Sequence, residues 1–138
     1  MGYVIGIGLA LSVSTFARVV GFDRERVFYP TVLIVVAAYY LLFAVMGGST
    51  SALIVESIAM GGFAWLAVAG WKGSVWLVVA GLAAHGVFDF FHAHIVHNPG
   101  VPEWWPAFCM AYDVVAAAYL AATHSQDGGS VHSSCDGR

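Results

Sequence analysis

The sequence predicts an all-α integral membrane protein, a bundle of five transmembrane helices with its N-terminus outside and its C-terminus in the cytoplasm. Of the 138 residues, 60% are hydrophobic and only 9% are charged, and the mean hydropathy is +0.82. An ordinary soluble domain is about a quarter charged. The composition therefore excludes a soluble domain, and we expect the lipid bilayer, and no nucleic acid, as a partner of this chain.

Five apolar runs are each long enough to cross a bilayer as a helix, which takes about 20 residues. Membrane strands would alternate polar and apolar residues, and these runs do not. The runs are 3–20, 28–46, 51–70, 74–96 and 105–123. We assign residues 1–124 to the transmembrane domain and the Ser/Gly-rich residues 125–138 to a disordered cytoplasmic tail.

The distribution of basic residues predicts the orientation. In a five-span arrangement all of them lie on one side, which is cytoplasmic by the positive-inside rule. They are Arg18, Arg24, Arg26, Lys72 and Arg138. The first run has no basic residue before it, so it is expected to be a retained span and not a cleaved signal peptide. These features predict a multi-pass protein of the inner (plasma) membrane.

Small residues recur every fourth position in the first run, at Gly2, Gly6, Ala10 and Ser14. Such a stripe allows another helix to approach closely. It could join two copies of the chain in a homo-oligomer, or join the chain as a structural subunit to a larger membrane complex.

The fourth run contains a set of ionisable residues that hydrocarbon disfavours. On a helix, His85, Asp89 and His92 share one face because they are spaced i, i+4 and i+7. His94 points to the opposite face and His97 lies at the end of the run. We expect those last two at the membrane surface.

Two further carboxyl groups lie at matching depths in neighbouring runs. Glu56 is in the third run and Asp113 is in the fifth, and Tyr39 and Tyr40 of the second run could donate hydrogen bonds at this height. The predicted site therefore comprises Glu56, His85, Asp89, His92 and Asp113. Cys109, one turn before Asp113, is either an additional soft ligand or a small buried hydrophobic residue.

The predicted site has three carboxyl groups and no Lys or Arg at its depth. An isolated charge at mid-membrane costs about 2.5 kcal/mol or more, so a bound cation is a direct source of compensation. Imidazole and carboxylate ligands suit a divalent zinc, copper or iron ion. The pattern is compatible with one ion or with two.

Several functions remain compatible with such a site. A metal enzyme could act on a lipid-like or small substrate, with Glu56 or Asp113 as general base, and a metal-handling protein would bind the ion itself. Alternatively, the same carboxylates and histidines could pass protons or cations across the membrane. The polar groups could also only join helices, each hydrogen bond contributing about 0.6 kcal/mol.

The segment HGVFDFFH, followed by NPGVPEWWPAFCMAYD, resembles an uncharacterised family of small bacterial integral membrane proteins. The shared pattern is H-G-x-x-D-x-x-H, then Asn-Pro and Val-Pro in a short loop, then a Cys shortly before an Asp in the last helix. The matching residues are His85, Gly86, Asp89, His92, Asn98, Pro99, Pro102, Cys109 and Asp113, with Glu56 upstream. The resemblance implies a shared site at these positions and implies no particular reaction.

Overall fold

The computed structural model of the protein describes residues 1–23 and 26–133, with side chains described as far as residue 126. This part of the chain forms five α-helices. They are α1 (Gly2–Val20), α2 (Phe28–Met46), α3 (Thr50–Lys72), α4 (Val75–Ile95) and α5 (Trp105–Ser133). All five are long and apolar enough to cross a membrane. The predicted all-α architecture with five helices able to span a membrane is confirmed, and the assignment of the termini to the two sides stays a prediction.

Serine residues determine where α3 and α4 begin. The Ser49 hydroxyl accepts a hydrogen bond from the backbone N–H of Ala52 at 3.2 Å, and the Ser74 hydroxyl accepts one from Trp76 at 3.3 Å. Each bond satisfies an N–H of the first turn that has no partner within the helix. Ser74, which was predicted to be the first residue of this helix, is instead its N-cap, and α4 begins at Val75.

The last helix is longer than the predicted fifth run. Its backbone continues from the predicted end at residue 123 to Ser133, so residues 125–133, predicted as disordered, are helical. The sequence after Thr123 has no proline, and a helix can continue through glycine at a modest energetic cost. The rest of the predicted tail, residues 134–138, lies outside the described residues, as do Arg24 and Glu25.

The helix α5 packs against both α1 and α4, while α2 and α3 pack on each other and on α4. The stripe of small residues on α1 makes the contact with α5. Gly6, Ala10 and Ser14 are buried, and a Cβ atom on Gly6 would collide with the carbonyl oxygen of Phe108. The stripe predicted to join two copies is thus covered by a helix of the same chain, because close packing of small residues is satisfied internally.

The buried interior of the bundle differs between its two halves. In the half that contains the first turns of α2 and α4, the buried residues are mainly apolar and include Leu33, Val78 and Leu82, with Ser14 as a buried polar residue. In the other half, next to the loops that join α2 to α3 and α4 to α5, the buried residues include ionisable side chains. These are Glu56, His85, Asp89, His92 and Asp113. This second half contains the candidate site.

Candidate metal centre

Two helices bring four potential metal ligands together. His85 and Asp89 lie one turn apart on α4, and Cys109 and Asp113 lie one turn apart on α5, so each pair projects from a single helix face. One ligand atom from each residue lies within 4.8 Å of the others. All four side chains are buried, with at most 1% of each residue exposed. We call these residues the four-residue cluster, and it could hold a metal ion.

Close packing of the two helices makes this approach possible. A Cβ atom on Gly86 of α4 would lie 3.3 Å from the carbonyl oxygen of Met110 and 3.6 Å from the Cβ of Asp113. A larger residue at position 86 would therefore separate α4 from α5 beside the cluster.

The distances within the four-residue cluster suit a small cation. A tetrahedral zinc ion with bonds of about 2.0–2.3 Å keeps its ligand atoms roughly 3.3–3.8 Å apart. His85 Nδ1 lies 3.4 Å from Asp89 Oδ2, and Cys109 Sγ lies 3.8 Å from Asp113 Oδ2. His85 Nδ1 is only 2.6 Å from Asp113 Oδ2, a hydrogen-bond distance. An ion in the cluster would consequently use the other oxygen of Asp113, or the second ring nitrogen of His85.

One oxygen of each cluster carboxyl group is left without a hydrogen-bond donor. Asp89 Oδ2 and Asp113 Oδ1 are both buried, and neither has a hydrogen-bond partner among the residues that the structure describes. A buried acceptor without a partner costs about 1–3 kcal/mol, and more when it is charged. A cation in contact with these oxygens would remove that cost.

The hydroxyl of Tyr40 connects α2 to the cluster. It donates a 2.6 Å hydrogen bond to Asp89 Oδ1, the oxygen opposite the unpartnered one, and Tyr40 is only 1% exposed. A hydrogen bond to the far oxygen of a carboxylate fixes the direction of its near oxygen, which is how outer residues orient metal ligands. Phe63 of α3 packs edge-on against the His85 ring, with centroids 4.7 Å apart, and so provides an apolar contact on that side of the cluster.

Glu56 and His92 lie in a second group next to the cluster. His92 Nε2 lies 2.7 Å from Glu56 Oε1, and the Asn98 side-chain amide donates to Glu56 Oε1 and to the backbone carbonyl of Tyr40, each at 3.1 Å. The Tyr40 ring stacks on His92 with centroids 4.1 Å apart. Tyr40 therefore separates this Glu56–His92 pair from the four-residue cluster.

The five predicted site residues are thus all buried at one end of the bundle, but they form two groups. His85, Asp89 and Asp113 lie in the four-residue cluster, whereas Glu56 and His92 pair with each other. Helical spacing predicts which residues share a helix face. It does not predict which carboxylate contacts which histidine, because that depends on helix rotation and on the loop that carries Asn98.

The neighbouring residues divide in the same way. Cys109 belongs to the cluster. Tyr39 and Tyr40 were both predicted as possible hydrogen-bond donors to the site, and Tyr40 is the one that donates. Tyr39 instead is 39% exposed and packs against Trp105, with centroids 4.9 Å apart. His94 and His97 are exposed, and their location at the membrane surface stays a prediction.

Asn98 is the contributor that helical spacing missed, and its signals were its position just before Pro99 in the loop after α4 and its place in the resembled motif. The loop reaches the site because Gly100 lies against α2, where a Cβ atom would collide with the Phe43 carbonyl oxygen. The Asn98 side-chain oxygen also accepts a 3.3 Å hydrogen bond from the Gly100 N–H, which holds the amide toward Glu56.

The lysine and arginine residues that the structure describes lie at the opposite end of the bundle. Lys72 ends α3, and Arg26 donates to the Gly73 carbonyl at 3.5 Å. Arg18 forms an ion pair with Asp23. The buried carboxyl groups of the site therefore have histidine, hydroxyl, amide and thiol groups as their described neighbours.

Comparison of the chain with protein-family models, with curated proteins and with solved structures found no match. The resemblance to the small bacterial membrane family accordingly stays a prediction based on the quoted motif.

Proposed function

We propose that this chain is a multi-pass membrane protein that binds a single divalent transition-metal ion in the four-residue cluster. One observation carries the proposal. Four buried side chains of ligating type, His85, Asp89, Cys109 and Asp113, converge within 4.8 Å, and two of their carboxylate oxygens have no hydrogen-bond donor in the described chain. A buried, uncompensated group of acceptors of this kind is stabilised by a cation.

The donor types favour zinc, with copper and iron as the alternatives. Nitrogen, sulfur and carboxylate oxygen donors in a four-coordinate arrangement are the usual zinc ligands, and a thiolate disfavours the hard ions magnesium and calcium. Metal binding deprotonates a thiol. The two carboxylates and the thiolate then carry three negative charges, of which a divalent ion compensates two.

The geometry favours holding the ion over catalysis at it. Catalytic zinc sites usually keep three protein ligands and an open position for water or substrate, whereas closed four-ligand sites are structural. The cluster offers four protein ligands, all buried. Metal storage, sensing or transfer, or stabilisation of the helix bundle by the ion, therefore fits better than hydrolysis. Glu56, one of the two carboxylates that a catalytic interpretation would use as general base, pairs with His92, and the side chains of Tyr40 and Phe88 lie between this pair and the cluster.

The same proposal includes the plasma membrane as the location, with the cluster in the outer half of the bilayer. This rests on Arg18, Arg26 and Lys72 lying at the other end of the bundle, together with the tendency of basic residues to stay in the cytoplasm.

Proton or cation passage is the second candidate, and a chain of contacts supports it. From the loop end inward, Asn98 contacts Glu56, Tyr40 contacts Asp89, and His85 contacts Asp113. A relay must also continue to the other side of the membrane. Beyond the cluster the described buried side chains are mainly apolar, including Leu33, Val78 and Leu82, so the metal site is the better supported function.

Metal analysis of the purified protein tests the proposal. We expect about one equivalent of zinc, copper or iron per chain, and loss of that metal in Asp113→Asn and His85→Ala. His97→Ala is the matched control, since it removes an exposed imidazole from the same end of α4. Metal-free wild-type protein, after reconstitution with each ion in turn, would overturn the assignment. Proton or cation flux in liposomes from metal-free protein would then favour the second candidate.

A further inference from the structure

A cavity lies at the end of the bundle opposite the four-residue cluster. Its volume is about 360 Å³, and it is enclosed by the end of α1, the starts of α2 and α4, the end of α3 and the middle of α5. Its polar lining residues are Arg18, Asp23, Arg26, Tyr29, Thr123 and His124. We call it the basic cavity.

Local structure holds both arginines at this cavity. Arg18 belongs to the last turn of α1, and its Nη1 lies 3.1 Å from Asp23 Oδ2 in the turn that follows. Arg26 adopts a left-handed backbone conformation with φ of 57°. Its Nη2 reaches the Gly73 carbonyl at 3.5 Å, across the turn between α3 and α4. The two guanidinium groups therefore approach the cavity from the end of α1 and from the loop that joins α1 to α2.

The charge of the lining favours an anion. Among the lining residues that the structure describes, Arg18 and Arg26 contribute two positive charges and Asp23 one negative charge, so this part of the lining is net positive even with His124 neutral. The Asp23 carboxylate already faces Arg18, which reduces its repulsion of an incoming anion.

The cavity also contains a buried hydroxyl group that could donate to a ligand. Tyr29 is only 4% exposed, and its hydroxyl, which lies near the side chain of Ser14, makes no hydrogen bond of good geometry within residues 1–23 and 26–133. Buried hydroxyl groups are normally satisfied. An acceptor oxygen of an anion in the cavity would satisfy this one, and guanidinium groups match phosphate oxygens in the same way.

We propose that the basic cavity binds an anionic phosphate group, carried either by a membrane lipid headgroup or by a phosphate free in solution. The cavity lies where the ends of four spans meet, which is the depth of lipid headgroups, and basic pockets between helices on the cytoplasmic side are suited to anionic headgroups. Apolar residues complete the lining, among them Pro30, Val75 and Leu120, and they can contact the carbon atoms next to a lipid phosphate.

The test measures binding of phosphatidylglycerol to the purified full-length protein in a neutral detergent, by native mass spectrometry and by the shift in melting temperature. Phosphatidylcholine is the zwitterionic comparison. The variants are Arg26→Gln and Tyr29→Phe. Lys72→Gln is the matched control, because it removes one positive charge from the same end of the bundle but from a residue that does not line the cavity.

We expect phosphatidylglycerol to bind more tightly than phosphatidylcholine, and Arg26→Gln to weaken its binding by about tenfold, the loss typical of one charged hydrogen bond. Tyr29→Phe should weaken it less, and Lys72→Gln should leave it unchanged. Competition by millimolar inorganic phosphate would identify a free phosphate as a sufficient ligand, and its failure to compete would identify the lipid.

Two results would overturn the proposal. In the first, Lys72→Gln weakens binding as much as Arg26→Gln, which would mean general attraction to a positive surface. In the second, phosphatidylglycerol and inorganic phosphate both bind the wild-type protein no better than phosphatidylcholine does. The melting temperature without lipid shows whether each variant is folded, and Tyr29→Phe provides an independent reading if Arg26→Gln is not.

Discussion

Tyr40 and Asp89 are joined by a buried hydrogen bond of 2.6 Å, from the Tyr40 hydroxyl to Asp89 Oδ1. The bond connects α2 to the four-residue cluster, which is otherwise built by α4 and α5 alone. On its other side the Tyr40 ring stacks on His92. Tyr40 thus contacts both groups of the site through its side chain, as the Phe88 ring also does, and its hydroxyl sets the direction of the ligand oxygen of Asp89.

Removing the Tyr40 hydroxyl should weaken metal binding without removing the site. In Tyr40→Phe all four ligands remain, but Asp89 is no longer oriented, and loss of such an outer hydrogen bond typically costs about 10–100-fold in metal affinity. Competition with a chelator of known affinity measures the change. Tyr39→Phe is the control, because Tyr39 is partly exposed and does not contact the cluster. Equal affinities for both variants would show that Asp89 is not held by Tyr40.

The two groups of the site should respond differently to substitution. Glu56→Gln leaves the four-residue cluster intact, so we expect the bound metal to remain at about one equivalent per chain. It removes the charge that faces His92, and breaking a buried pair typically costs about 3–5 kcal/mol in the free energy of unfolding. A lower melting temperature with unchanged metal content is the expected result. If Glu56→Gln instead loses as much metal as Asp113→Asn, the two groups form one binding site.

The sequence predicted the helices better than the site because the two depend on different information. The bilayer thickness sets the helix length, so apolar runs alone place α2 at residues 28–46, as the structure has it. The face of α4 that carries His85, Asp89 and His92 also follows from helical spacing.

The partners of these residues follow from packing and not from spacing. His92 meets Glu56 because Asn98 and the loop at Gly100 lie against α2. Cys109 joins the cluster because α4 and α5 approach closely at Gly86. Neither contact can be predicted from hydropathy or periodicity, because the two contacts depend on helix rotation and on a loop conformation.

The contact of α1 with α5 should depend on the absence of a side chain at Gly6. In Gly6→Ala the added Cβ would collide with the Phe108 carbonyl oxygen, a backbone atom that cannot move aside. Overpacking of this kind costs about 1–3 kcal/mol, so the melting temperature should fall. Gly8→Ala is the matched control on the same helix, since a Cβ atom there has no described neighbour within 4 Å.

The oligomeric state in detergent separates the two interpretations of the stripe on α1. If Gly6 packs against α5 of its own chain, Gly6→Ala should lower stability and leave the oligomeric state unchanged in size-exclusion chromatography with light scattering. A dimer of the wild-type protein that dissociates in Gly6→Ala, with no change in melting temperature, would favour an interface between copies instead.

Cys109 should determine which metals the four-residue cluster accepts. A thiolate is a soft ligand, and replacing it with the hydroxyl of Cys109→Ser leaves one nitrogen and two carboxylate oxygens as the main donors. The preference should therefore move away from zinc and copper toward harder ions such as manganese. Cobalt(II) makes the change visible, because sulfur-to-cobalt charge transfer gives an absorption band that oxygen ligands do not. We expect that band in the wild-type protein and its loss in Cys109→Ser.

Cys109→Ala separates ligation from packing, since it removes the donor while keeping a small apolar side chain at a position that is 1% exposed. If Cys109→Ala binds zinc as tightly as the wild type, Cys109 is a buried hydrophobic residue and the ion has only three protein ligands, which would reopen the catalytic interpretation of the site.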